Sequence, residues 1–463
     1  MPAMRRCGLA IAAVGGMIMA AASVPGAGAQ TTGQPATAQV VASRAAGAPG
    51  SRALLALGVP VHTVPAAGER PALVNPEPTQ LFGVYCTSAP NCWAVGERGT
   101  GTAEVNQMLH WNGRKWYGVS VPNPSGSSGH AVNELFAVRC LQATDCWAVG
   151  TTSKNSSTYF AEALHWNGKR WSKKTVPQPG GSKAWGVTTL NDSTCISASN
   201  CYAVGDYGFQ EVLKVRLSNL ILHWNGKRWS KVTGVPSPAG SGTGHASLLD
   251  AVRCPTASSC VTDGVLVKVS PTVTLTFLNQ ALHWNGRKWS RVFPPNPGGT
   301  KAGDSSELFA LACGSSTSCW GVGTYGASVL PGESLNQILH WNGKKWTKAT
   351  GVPQPGGKSG PDAFNELEAA TCNSSSDCWA IGSYGSSSDA KLNEALHWNG
   401  KKWALVKTPN PGGTAMDDSN TLYAARCTSA SNCWAVGAAE KVDTTTTNEI
   451  LHWNGKKWTV AAS

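Results

Sequence analysis

Fourteen cysteines stand in seven pairs with five residues between partners. They are Cys86 with Cys92, Cys140 with Cys146, Cys195 with Cys201, Cys254 with Cys260, Cys313 with Cys319, Cys372 with Cys378 and Cys427 with Cys433. Such a set, after a secretory start, reads as seven local disulfides. A tetrahedral metal centre would use converging ligands at closer spacing, such as C-x2-C. Seven histidines (His110, His165, His223, His283, His340, His397, His452) share one repeated position, which speaks for packing or hydrogen bonding between repeats. Asn106, Asn219, Asn279, Asn336, Asn393 and Asn448, four residues earlier, read as loop ties through local hydrogen bonds.

Two groups of residues could bind a ligand. The first is a set of paired cations: Arg114, Lys115, Lys169, Arg170, Lys227, Arg228, Arg287, Lys288, Lys344, Lys345, Lys401, Lys402, Lys456 and Lys457. Gathered on one face, they would attract a polyanion such as wall teichoic acid or an acidic polysaccharide; the plain alternative is solvated turns that discourage edge pairing. The second is aromatic. Tyr207, Tyr325 and Tyr384 sit in G-x-Y-G segments expected on loops, where a ring could stack on a sugar, and Trp185 stands outside the repeated tryptophan positions. Folding back onto the scaffold is the alternative for the tyrosines, and packing in a strand is the alternative for Trp185.

Catalysis has little support. G-x-S-x-G and H-E-x-x-H are absent, and Cys7 leaves with the signal segment. Glu134, Glu307 and Glu366 recur across repeats and read as structural, whereas Asp263 and Asp304 are unique acidic candidates. A glycosidase would need two carboxylates converging on one bond. No cofactor or metal site is expected.

These residues must be positioned by a repeat. The octamer LHWNG-(K/R)-(K/R)-W starts at Leu109, Leu164, Leu222, Leu282, Leu339, Leu396 and Leu451, at intervals of 55 to 60 residues. Each copy follows a C-x5-C segment that usually continues W-A-V-G. The second unit yields four strand candidates: Leu135–Cys140, Cys146–Val149, Glu162–Trp166 and Trp171–Val176. Asn167-Gly168 predicts a two-residue type I′ hairpin. The V-P-x-P-G-G tail cannot continue a ladder, because proline lacks an N–H.

Twenty Trp, 52 Gly and only 14% charged residues exclude a helical bundle. Seven four-stranded sheets, none able to bury its faces alone, predict an all-β, seven-bladed β-propeller with one disulfide per blade. A linear solenoid is the runner-up. The fourth unit diverges most: Val261-Thr262-Asp263-Gly264 replaces W-A-V-G.

Arg5 and Arg6, the apolar run Gly8–Val24 and Ala27-Gly28-Ala29 predict a signal peptide over 1–29. An Ala/Gly/Pro-rich leader over 30–75 follows, then the propeller over 76–463. Within the leader, Val61 to Gly68 resembles a repeat tail and is expected to complete the outer strand of the last blade. No second apolar run of spanning length follows. The expected protein is therefore secreted and monomeric, without an integral membrane segment after cleavage. The net charge is +12. Expected partners are a glycan, a cell-wall polymer or an extracellular protein, not nucleic acid.

The LHWNG…W and C-x5-C-W-A-V-G units resemble those of secreted bacterial β-propeller proteins with tandem HWNG…W repeats, especially from actinobacteria, over about five-sixths of the chain. They are more distantly similar to kelch and sialidase propeller repeats. The Gly-Gly doublet of kelch strands and the S-x-D-x-G-x-x-W box of sialidases are missing, so no catalytic residue carries over. The resemblance implies the fold, and propellers host both binders and enzymes. The reading is a non-enzymatic, carbohydrate-binding module that uses the loops of one face. An extracellular protein-interaction scaffold is the alternative, and a propeller glycoside hydrolase or lyase the second.

Overall fold

A computed structural model describes residues 77–461, apart from 212–213, 241–243, 271–273, 327–332, 361, 386–389 and 443. The expected signal segment and leader, with its tail-like piece Val61 to Gly68, lie outside the described residues.

The fold is all-β. In the second unit the strands are Val132–Gln142, Asp145–Ser153, Phe160–Trp166 and Trp171–Lys173. They pair antiparallel in that order. Four units form separate four-stranded sheets, while the third, fourth and fifth join in one mixed sheet of thirteen strands. The joins are short parallel pairings between the third strand of one unit and the first strand of the next, at Arg216↔His245 and Phe277↔Ser305. The third unit also carries an extra strand, Gly186–Thr188, paired to the far end of its second strand. All four strands of the last unit come from residues 419 to 460.

Seven disulfides tie the first strand of each unit to the second. They join Cys86 to Cys92, Cys140 to Cys146, Cys195 to Cys201 and Cys254 to Cys260. In the last three units they join Cys313 to Cys319, Cys372 to Cys378 and Cys427 to Cys433. The Cα atoms of each pair stand 3.9 to 4.0 Å apart. The second partner is buried in every unit: Cys92, Cys146, Cys201, Cys260, Cys319, Cys378 and Cys433 all lie in the core. A sulfur bonded in this way offers no thiolate, so these cysteines are staples and not metal ligands. Each bridge closes a short loop, so each contributes about 2 kcal/mol in the chain-entropy account.

The glycine of W-A-V-G is a packing requirement. A Cβ on Gly382 would stand 1.9 Å from the Glu366 carbonyl oxygen. Gly382→Ala is therefore expected to cost about 1–3 kcal/mol by overpacking. Gly118→Ala, with nothing within 4 Å, should leave the unfolding midpoint almost unchanged. Equal midpoints in a thermal melt would refute this reading. Beside this glycine, the first strand bulges in six units, at Phe82, Phe136, Asp250, Phe309, Glu368 and Tyr423. A bulge re-aims a side chain. Here Phe82 meets Phe136 and Tyr423 at ring distances of 6.0 and 5.7 Å, so the first, second and seventh units touch at the centre.

Tryptophans form the seams between units. Trp93 lies 5.0 Å from Trp166 and 5.2 Å, edge-on, from Trp171 of the next unit. The pattern recurs with Trp147, Trp320 and Trp379. It ends with Trp434 of the seventh unit against Trp111 and Trp116 of the first. First and last units also share a backbone bond, Thr79 N–H to the Thr446 carbonyl at 3.0 Å. A linear array would leave its ends apart, so the units form a propeller-like ring. In the divergent fourth unit Val261 takes the tryptophan position, and Trp341 packs against His283 instead.

Three local expectations need correction. The Asn-Gly turn is not a two-residue hairpin. Trp166 pairs with Trp171 across a four-residue turn, and only Gly168 has positive φ, at 85°. Asn167 stays outside that region and accepts the Lys169 and Arg170 N–H groups on Oδ1, each at 3.0 Å. Its side chain stands in for a backbone carbonyl. The histidines hydrogen-bond within their own unit, and packing across units is seen at His283 against Trp341. His165 Nε2 lies 2.8 Å from Asp145 Oδ1, and its ring lies 4.5 Å from Trp147.

The asparagines do more than tie loops, and they supply the bonds between units expected of the histidines. Asn106 donates to the Pro122 carbonyl of its own tail and to Glu162 Oε1 of the next unit. Asn219, Asn279, Asn336 and Asn393 do the same toward Gln280, Gln337, Glu394 and Glu449.

Candidate anion-binding site

All fourteen basic turn residues are exposed. In each unit the basic turn and the disulfide turn lie side by side. The Trp111 indole N–H, beside the basic turn, donates to the Ala89 carbonyl of the disulfide turn at 3.1 Å. The same contact recurs at Trp166, Trp224, Trp284, Trp398 and Trp453. Both sets of turns therefore share one face, and seven equivalent Asx turns hold the cations there.

On the same face lies a feature that the sequence reading missed. The residue before the first cysteine of each unit is Tyr85, Arg139, Thr194, Arg253, Ala312, Thr371 or Arg426. All seven line one cavity of about 130 Å³. The first strands are innermost, so this position from every unit converges on the axis. Its irregular composition, at a fixed offset from the cysteine, was the available signal.

Asp192 is the carboxylate held among these cations. Arg139 Nη2 lies 3.1 Å from Asp192 Oδ1, close enough for charge but off the line of a hydrogen bond. Arg253 Nη1 donates to Asp192 Oδ2, and the Val252 N–H reaches the same oxygen at 3.2 Å. Burial works to raise the Asp192 pKa, but Arg139, Arg253 and that N–H outweigh it and hold it below the usual carboxylate value. Burial lowers the Arg139 pKa to about 10, with Arg253 and Arg426 adding to the effect. Arg426 lies over the Tyr85 ring at 4.4 Å and donates to the Tyr85 hydroxyl at 3.4 Å. Among the described residues no carboxylate pairs with Arg426. Three guanidinium groups thus face one carboxylate.

The tyrosines are not on loops. Tyr207, Tyr325 and Tyr384 lie in the second strands Asn200–Glu211, Ser318–Gly326 and Asp377–Gly385, half-buried. These strands run past the glycine where the sequence reading ended them. Lys231 Nζ sits 3.7 Å from the Tyr207 ring centre, and Lys348 Nζ sits 4.3 Å from that of Tyr325. A lysine therefore occupies ring surface on which a sugar would stack. Trp185 is not packed in a first strand. It precedes the extra strand with φ 67° and is 40% exposed.

The acidic candidates have structural settings. Glu134, Glu366 and Asp263 are buried, and burial raises Glu307 to about 7 and Glu366 to about 8. Asp304 accepts the Lys301 N–H at 2.7 Å and closes a turn. Glu97, Glu104 and Glu134 bring one oxygen each within 4.8 Å of one another, a donor set that could share a cation or a proton. Gln80 already donates to Glu97 there.

No protein-family model and no curated protein matches the sequence. Among solved structures, the chain is similar to the β-propeller domain of the Trilobed protease from Pyrococcus furiosus. Identity is 8% and the TM-score 0.45, covering 83% of this chain and 99% of that one. It is similar to an ulvan lyase of polysaccharide lyase family PL25 at 10% identity and TM-score 0.48, covering 81% and 92%. A GH74 xyloglucanase from Xanthomonas campestris matches at 13% identity and TM-score 0.45, covering 84% of this chain and 55% of that one.

Proposed function

We propose that this chain is a secreted, seven-bladed β-propeller that binds acidic glycans or other anionic cell-envelope polymers without catalysis. The carrying observation is the face itself: seven Asx turns hold fourteen exposed cations around an arginine-lined centre. The reading moves the binding surface from the loops at the opposite end to the disulfide turns. Clustered cations on a rigid frame attract a polyanion over about a Debye length, so the binding is salt-dependent. The seven disulfides suit an oxidising compartment, and no helix among the described residues is long and apolar enough to cross a membrane.

The test is retention of the oxidised chain on immobilised acidic and neutral polysaccharides at low and high salt. Retention on acidic polymers alone is expected, lost at high salt. It should weaken at least tenfold in a variant carrying Lys344→Gln, Lys345→Gln, Lys401→Gln and Lys402→Gln. Salt-resistant binding to a neutral glycan, abolished by Trp185→Ala, would overturn this assignment and favour the exposed tryptophan.

A further inference from the structure

We propose that the cup at the ring centre, bounded by Arg139, Arg253, Thr371 and Arg426, is a binding site for a single oxyanion group, of the kind an acidic sugar carries as carboxylate, sulfate or phosphate. This deepens the reading of the face as anion-binding: the rim gathers the polymer, and the cup takes one charged group from it.

Three observations converge. The first is charge. Asp192 engages Arg139 and Arg253, which leaves the Arg426 guanidinium, among the described residues, with a phenol and no carboxylate beside it. The second is a pair of unmatched donors. Arg426 Nε is buried without a hydrogen-bond acceptor, and so is the Thr371 hydroxyl, on a residue 3% exposed. Buried donors without partners are costly, and an oxyanion between them would satisfy both. The planar guanidinium fork suits such an oxyanion in two-point contact.

The third observation is shape. The cup holds about 130 Å³, room for a small anion and a few waters. Three residues back along the first strands, roughly 10 Å deeper, Phe82, Phe136 and Tyr423 pack together as an apolar cluster beneath the cup. Outward, Arg426 also borders a wider cavity of about 440 Å³ among the disulfide turns, beside Ser88, Asn373 and Ser429. That cavity gives room for the sugar that bears the anion. Burial first, and then the neighbouring Arg253 and Arg426 charges, depress the Arg139 proton affinity, and the same anion would offset the repulsion among those charges.

The experiment is isothermal titration of the full oxidised chain with phosphate, sulfate and acetate in turn, each at one ionic strength set with chloride. At least one oxyanion is expected to saturate a single site, and the order of affinities identifies the group. Arg426→Gln should weaken that site at least tenfold. It breaks no ion pair, so its unfolding midpoint should stay near the parent value. Arg426→Lys keeps the charge without the fork and should fall between. Should Arg426→Gln fail to fold, Thr371→Val is expected to weaken the site several-fold.

Absence of saturable binding by all three anions overturns the proposal, as does equal affinity in the parent and in both Arg426→Gln and Thr371→Val. The four-lysine rim variant should retain the small-anion site, and its loss there would also overturn the cup. Saturable phosphate binding with no retention on any acidic polymer would leave the cup standing and sink the polymer reading.

Discussion

Replacing Glu162, Glu394 and Glu449 together by Gln is expected to stabilise the protein increasingly as pH rises from about 5 to about 8.5. Each of these carboxyls is buried between units. Each accepts an asparagine N–H on Oε1 and leaves Oε2 without a partner. Burial raises Glu162 and Glu449 to about 8 and Glu394 well above the usual carboxylate value. At the equivalent place in two other units stand Gln280 and Gln337. Their amides donate to the facing asparagine oxygen and to backbone carbonyls. The facing oxygens of Asn106, Asn336 and Asn393 lack a donor, so the neutral acid reproduces the glutamine bond and the carboxylate does not.

The folded state therefore holds a proton that the unfolded chain releases above about pH 4.5. The stability this proton confers is fully present below that value and is lost as pH rises to about 8. Each tenfold change in proton affinity is about 1.4 kcal/mol, which makes the advantage of each Gln on the order of a few kcal/mol at pH 9. The readout is the difference between variant and parent in denaturant midpoint at pH 5 and pH 9. Asp206, Glu307 and Glu366 are raised as well, so the variant should retain part of the alkaline decline. The partly buried His110, His223, His283, His340 and His452 are lowered by burial and weaken the fold on the acid side, equally in both proteins. A difference that does not grow with pH would show that these carboxyls are ionised in the fold.

Trp434→Ala is expected to cost about 3–5 kcal/mol, as large-to-small changes in a packed core do. Trp434 is 3% exposed and lies 5.2 Å, edge-on, from Trp116 at the seam between last and first units. Its loss opens the one seam that joins residues far apart in sequence. Trp185→Ala, at an exposed turn, should shift stability by less than about 0.5 kcal/mol. Equal losses in chemical denaturation would mean that the seam between the ends contributes nothing.

Repetition made much of this protein legible. The C-x5-C and HWNG…W spacing placed the disulfides, the third-strand ends and the fourth-strand starts, because each motif recurs at a fixed place in every unit. The same regularity misled at the histidines, where an invariant position suggested contact between units and the bond stays within one. Strand ends were also missed. Past the glycine of W-A-V-G the second strand continues on polar residues, and polarity there reads as loop until the neighbouring strand is seen to pair with it. That error put Tyr207, Tyr325 and Tyr384 at the wrong kind of place.

By itself the sequence determined the all-β repeat, the local cysteine pairing and the exposed cations, because each depends on residues within a few positions of one another. Only the tertiary structure decided that Arg139, Arg253 and Arg426 meet. They are 114 and 173 residues apart along the chain, and their shared place before a first cysteine does not say that they converge. The turn of the ring carries each first strand to the axis, and there three isolated charges line one cavity, two of them paired with Asp192.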